Sequence, residues 1–300
     1  MSADLEANQP VPLEGYVPVG NAELYYREVG QGQPIIVLHG GPDFDHSYLL
    51  PEMDRLFDAF RLIYYDQRGR GKSGRNVVPE DVSMRSEMED LEEIRKYFGL
   101  ETTAVLGHSW GGILAMEYAV RHPTRVSHLI LMDSAPASHD DYMRFREERR
   151  KNRPADVEKL KELASTARYQ EGDLEADADY YRVHFRATVR QPQQLEKVVK
   201  SLRANVNKEG ILRARAIEDR LYDETWLVNK YDLLPRLRRL SIPSLVIHGD
   251  NDLVPIMCAA HIAEAISGAR FALLRGGGHF SYLECPDEVR KEIVDFFQGA

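Results

Sequence analysis

The chain has 300 residues, 43% of them hydrophobic and 29% charged, with a formal net charge of −9. That length buries a full core in one domain, or in one domain with an insertion. The negative balance excludes nucleic acid and anionic membrane as main partners, since both attract basic surfaces.

The opening MSADLEANQPVPLEG is acidic and has no apolar run, so it does not read as a secretory leader. No later stretch approaches the roughly 20 apolar residues of a spanning helix, and a cytoplasmic protein is expected. NAELYYREVG alternates as a half-exposed strand, and GQGQ turns it into PIIVLHGG, apolar enough to be buried on both faces. RLIYYDQRG, TTAVLGHS and VSHLILMDS read as further strands. Between them lie two helices: SMRSEMEDLEEIRKYFGL, capped by Ser83 and ending near Gly99, and GGILAMEYAVRHP, stopped by Pro123. From 136 to 235 the charge density rises, VEKLKELASTARY and QLEKVVKSLRANV carry helical periodicity, and no strand-like run occurs. The earlier rhythm resumes with IPSLVIHGD, AAHIAEAIS, RFALLRGGG and DEVRKEIVDFFQ. The expectation is an α/β fold with a mostly parallel, doubly wound sheet, its core over 1–135 and 236–300 and a helical cap inserted over 136–235. Cys258 and Cys285 lack paired spacing and read as inert buried thiols rather than a disulfide or zinc site.

Gly107-His108-Ser109-Trp110-Gly111 is a G-x-S-x-G pattern between a strand and a helix, the setting of a nucleophile elbow. A bulky residue two places either side of the serine would collide where strand and helix close, and Gly112 brings the helix nearer the sheet. A serine hydroxyl needs a base, and the base needs an orienting acid. In the order serine, acid, histidine, HGDNDLVP supplies Asp252 and GGGHFSYLECP supplies His279. Asp133, ending LILMDS, and Asp250 are the alternative acids; Asp252 is preferred because Gly249 and Pro255 frame a loop able to aim it, while Asp250 reads as a turn residue. His108, His122 and His248 read as structural. The oxyanion donors expected are the backbone N–H groups of Trp110, at a helix N-terminus, and of Gly41 in HGGP. YYDQRGRGKSGR lacks the spacing of a phosphate loop, and Asp66 and Arg68 are expected to fasten a loop below the site.

HGGPDFDHSYLL, YYDQRGRGKSGR, GHSWGG, HGDNDLVP and GGGHFSYLECP, in that order, resemble the α/β-hydrolase fold superfamily. HGGP with DQRGxGxS and a cap after the sixth strand is similar to its proline iminopeptidase branch. The resemblance implies a triad of Ser109, Asp252 and His279, an oxyanion hole at Gly41 and Trp110, no metal and no cofactor. It also implies a short-peptide or other small-molecule substrate. Peptidases of the branch hold the substrate's amino group with acidic cap residues; in AIEDRLYDETW the candidates are Glu218 and Glu224, beside Trp226. Asp43 departs from the branch, which reads HGGPG, and puts a carboxylate near the site mouth. The function expected is an acyl-enzyme serine hydrolase releasing N-terminal proline. A carboxylesterase, lactonase or carbon–carbon hydrolase is the alternative, and a small-ligand receptor is the reading from another class. A serine at position 109 speaks against chemistry that needs a carboxylate nucleophile.

Overall fold

The computed structural model describes residues 10–299; the acidic start over 1–9, read above as no leader, lies outside them. Eight strands form one sheet: β1 Leu13–Val19, β2 Ala22–Val29, β3 Gln33–Leu38, β4 Phe60–Tyr65, β5 Thr103–His108, β6 Val126–Met132, β7 Ser244–Gly249 and β8 Arg270–Leu274. Their order is β1-β2-β4-β3-β5-β6-β7-β8, antiparallel at β1/β2 and β2/β4 and parallel from β4 to β8. Strand β1 has no counterpart in the sequence reading. It is an edge strand in which only Val17 is buried, and Gly15 and Pro18 dilute its pattern; pairing with β2 recruits it.

The central strands are buried on both faces, which explains their continuous apolar runs. Ile36, Leu38, Ile63, Tyr65 and Val105 face the layer of α1 Met84–Tyr97 and α2 Trp110–Arg121, which contributes Leu91, Ile94, Ile113 and Leu114. Ile35, Val37, Leu62, Tyr64 and Leu106 face the other way, toward Val289, Ile293 and Phe296 of the C-terminal helix. Ser83 caps α1, its side chain accepting from Ser86 N–H.

Between β6 and β7 run α3 His139–Asn152, α4 Pro154–Ala164, α5 Ala167–Gln170, α6 Leu174–Phe185, α7 Pro192–Leu202, α8 Lys208–Glu224 and α9 Leu234–Leu237. VEKLKELASTARY divides into two helices, because Thr166 turns its side chain to Tyr169 N–H and starts a new one. QLEKVVKSLRANV is helical only as far as Leu202, and α9 straddles position 235. An isolated bridge between Ser138 and Asp232 joins the two ends of this segment. Ile217, Leu221 and Trp226 pack into the α1–α2 layer, and Tyr181, Phe185 and Val198 into the opposite one. The chain closes with α10 Ile256–Ala265, α11 Ser281–Glu284 and α12 Pro286–Gln298. Cys258 and Cys285 are free and buried. Among the described residues no helix is long and apolar enough to cross a membrane.

Candidate active site

Strand β5 passes into α2 through Ser109, whose φ of 54° and ψ of −119° place a non-glycine residue in strained backbone. A Cβ on Gly107 would lie 2.2 Å from the Gly111 carbonyl oxygen, and one on Gly111 would lie 2.3 Å from that of Leu38. Any side chain at either position would force the elbow open, so the two glycines are what let strand, turn and helix close together. A Cβ on Gly112 would come within 2.2 Å of Ser134 Oγ, so this glycine seats α2 on the end of β6.

Ser109 Oγ lies 3.0 Å from His279 Nε2, and His279 Nδ1 lies 2.8 Å from Asp252 Oδ1. The Val254 N–H also donates to Asp252 Oδ1, at 2.9 Å. Burial by itself lowers the pKa of His279, yet the Asp252 carboxylate outweighs it and holds the imidazole above its ordinary value. Asp252 is held below the usual carboxylate range against its own burial, by the charges of His279 and His248. The two other acids are spent elsewhere. Asp133 accepts from Gly249 N–H and Ser281 N–H, both at 3.0 Å, and burial with the charge of Asp252 pushes it up to about 6. Asp250 accepts from Gly276 N–H at 2.8 Å and pairs with Arg190 at the surface.

His108 does more than fill space. Its Nε2 lies 2.7 Å from the His279 carbonyl oxygen, which can only accept, so Nε2 carries the proton and Nδ1 is the acceptor. The Tyr48 hydroxyl donates to that Nδ1 at 2.7 Å and accepts the Gly40 N–H at 2.6 Å. Burial, aided by His279, pushes His108 down to about 3 and keeps it neutral. A chain of oriented bonds thus links the HGGP turn, the elbow and the His279 loop. It also takes up the Gly40 amide. Gly41 follows with φ of 54°, and a Cβ there would sit 2.2 Å from the Phe44 ring. Trp110 is the first residue of α2, where a helix leaves its N–H groups without internal acceptors. Thr188, on the segment between α6 and α7, accepts the His279 N–H at 2.8 Å and donates to the Asn251 carbonyl at 2.9 Å. Nothing in the sequence pattern marks Thr188 or Tyr48. Asp66 and Arg68 do tie loops: Asp66 accepts from His46 and Lys72, and Arg68 pairs with Asp90.

Above Ser109 lies a cavity of about 1110 Å³, and Gly41, Trp110 and His279 line it beside the serine. Glu218 and Trp226 line it too. Burial, and then the Asp43 carboxylate, push Glu218 up to about 8; its carboxylate accepts from Tyr222 Oη at 2.7 Å. Asp43 is buried on the same cavity, takes a short hydrogen bond from Tyr181 Oη, and is raised above the carboxylate range by burial. Trp226 stacks on Tyr142 at 4.6 Å and 8°, and its indole N–H donates to the Pro136 carbonyl. Glu224 is not brought to the cavity: it is exposed and accepts the Met84 N–H at 2.8 Å, tethering the cap to the start of α1. Six residues beyond Glu218 on α8, it is about a third of a turn away from that face.

Among the described residues two groups bring three ligand-type side chains within 4.8 Å of one another: Asp45, His46 and Asp66, and Asp133, His248 and Asp252. Asp66 is engaged with His46 and Lys72, Asp133 with Gly249 and Ser281, and Asp252 with His279. These groups act as fasteners of loops and of the histidine.

A family model described as alpha/beta hydrolase fold matches residues 33–286, and the chain belongs to that family. It is therefore a hydrolase by family. Within the family it stands with the proline iminopeptidase-like branch. The proline iminopeptidase of Lacticaseibacillus rhamnosus is 28% identical over 297 residues, spanning 92% of this chain and 94% of the relative. The solved proline iminopeptidase of Mycobacterium smegmatis matches with a TM-score of 0.72 at 25% identity, covering 96% of this chain and 98% of its own. The enol-lactonase of Burkholderia xenovorans matches with a TM-score of 0.69 at 25% identity, covering 95% and 100%.

Proposed function

We propose that the protein is a serine hydrolase that releases N-terminal proline from short peptides through an acyl-enzyme. The observation that carries this reading is Glu218, a carboxylate on the wall of the cavity that holds Ser109 and His279. The substrate's ammonium sits against Glu218 and the adjoining Asp43, among the rings of Tyr222 and Trp226, which suit a cation. The scissile carbonyl then lies over the elbow, and the cap over 136–235 covers it.

Ser109 Oγ attacks the carbonyl carbon while His279 Nε2 takes its proton, and Asp252 stabilises the imidazolium. The N–H groups of Trp110 and Gly41 hold the oxyanion, each worth about 3 kcal/mol in the transition state. His279 returns the proton to the leaving amine. Water, deprotonated by the same imidazole, cleaves the acyl-enzyme. The likeness to an enol-lactonase favours a second reading, in which the same steps open an ester or lactone and the ammonium site stays idle.

A prolyl arylamide and a short acyl ester, assayed side by side, test the reading. Sustained prolyl cleavage is expected, falling about 10⁴-fold or more in Ser109→Ala. Strong ester cleavage without prolyl cleavage would overturn the peptidase function in favour of the second reading, and a single slow turnover would favour a receptor.

A further inference from the structure

The walls of the cavity differ in charge. Helix α3 contributes Tyr142, Arg146 and Arg149 to it, at a spacing that sets them on one face. Arg149 is half-buried, and burial pulls its guanidinium below the ordinary arginine value. Its one hydrogen bond is a long one of 3.4 Å to the His184 carbonyl, and no carboxylate pairs with it among the described residues. Asp156, whose charge reaches Arg149, pairs with Arg186, and Glu147 on the cavity wall pairs with Lys151 at 3.2 Å. Asp140, also on the cavity, lies nine residues back along α3, about 13 Å away along the axis. Arg203 and Arg215, the arginines beside Asp43 and Glu218, are by contrast both matched by Asp177. An unmatched, desolvated cation costs stability unless an anion meets it.

Tyr180 lines the same cavity and is close enough to feel the charges of both Glu218 and Arg149. A cavity of about 1110 Å³ is large for one small group and accommodates a peptide of a few residues. Building on the peptidase reading above, we infer that Arg149 binds a carboxylate on the leaving portion of the substrate. The enzyme thereby selects short peptides whose free C-terminus reaches α3 while the N-terminal amine rests at Glu218. A planar guanidinium suits a carboxylate because it offers two parallel N–H donors.

The test compares Pro-Gly-Gly with its C-terminal amide, as the ratio of kcat/KM within each enzyme. Wild type favours the free acid, and Arg149→Gln brings the ratio roughly tenfold or more closer to one, the fold-change of a lost charged hydrogen bond. Arg149→Lys, which keeps the charge but not the fork, retains part of the preference. Because the ratio is taken inside each variant, a general loss of fold or activity cancels. A wild-type ratio near one, or a ratio unchanged in Arg149→Gln, overturns the inference. Turnover of the prolyl arylamide reads the peptidase function separately. If only esters are cleaved, 4-acetoxybutanoate against its amide replaces the peptide pair, because there too the carboxylate lies on the leaving portion, and the same two outcomes decide.

Discussion

The floor of the cavity and its roof are built in opposite ways. On the floor, backbone takes part in every fastening: Ser109 sits in a strained turn, Asp252 accepts the Val254 amide, and the N–H and carbonyl of His279 bond the Thr188 and His108 side chains. On the roof, Glu218, Tyr181, Tyr222 and Arg149 project from helices; Glu218 and Tyr222 bond each other and Tyr181 bonds the Asp43 side chain, while Arg149 has only its long bond to the His184 carbonyl. Backbone-held groups tolerate few alternatives in sequence, whereas side chains on a helix change without disturbing it. Under the proposed function the floor carries the chemistry and the roof the choice of substrate, and that division makes predictions.

The largest effect is expected on the floor. Asp252→Asn should lower kcat by about 10³ to 10⁴-fold on every substrate, as loss of a triad acid does elsewhere. It should also move the acid limb of the pH profile. The active imidazole is neutral, so activity falls as pH drops through the pKa of His279, which in wild type lies above its ordinary value of 6.5. Removing the carboxylate leaves burial, which lowers that pKa, as the largest remaining influence against the smaller upward pull of Asp133. The limb should therefore shift to lower pH, measured as kcat/KM against pH with both arylamide and ester. A limb that stays in place would mean that Asp252 does not act on His279.

Next comes the roof. Glu218→Gln should raise KM for the prolyl arylamide by about 10 to 100-fold, far more than for an ester without an amine, the signature of lost binding rather than lost chemistry. Glu218 is protonated below about 8, so in wild type KM for the amine-bearing substrate should climb as pH falls through that value. Asp43, Arg215 and Tyr222 face the same carboxylate and set the exact position of the limb. In Glu218→Gln that limb disappears, and its persistence would transfer the amine site to Asp43.

The same division explains what could be read in the sequence. The elbow is legible because steric closure demands glycine at 107 and 111, and the central strands are legible because burial on both faces demands unbroken apolar runs. Strand β1 is not legible: an edge needs only one buried valine, and its partner supplies the rest. The choice among Asp133, Asp250 and Asp252 is not local either, since all three follow strand ends, and they are separated by contacts made across the fold: Asp252 meets His279, whereas Asp133 accepts the Gly249 and Ser281 amides and Asp250 that of Gly276. On the roof, Glu218 and Glu224 read alike as acids of one helical stretch. Six residues of helix turn one to the cavity and the other to Met84 N–H. Tyr48 and Arg149 carry no motif, because their roles rest on contacts made across the fold.

Tyr48 tests the division most finely, since its loop belongs to the floor while the neighbouring Ser47 hydroxyl reaches the cap at the Ser201 carbonyl. Tyr48→Phe keeps the ring and removes the bridge, leaving the buried Gly40 N–H and His108 Nδ1 without their partner. That should cost about 1 to 3 kcal/mol of stability, seen as a lower midpoint in thermal or urea unfolding. The Gly40 turn carries the adjoining Gly41 amide, and His108 holds the His279 carbonyl, so kcat should drop by about tenfold through slackened oxyanion and base geometry. Arylamide and ester should suffer alike, because neither Glu218 nor Arg149 belongs to this chain of bonds. If Tyr48→Phe instead changes the preference between the two substrates, the floor takes part in choosing them. The separation of chemistry from specificity would then hold only for groups without a bond to the cap loop.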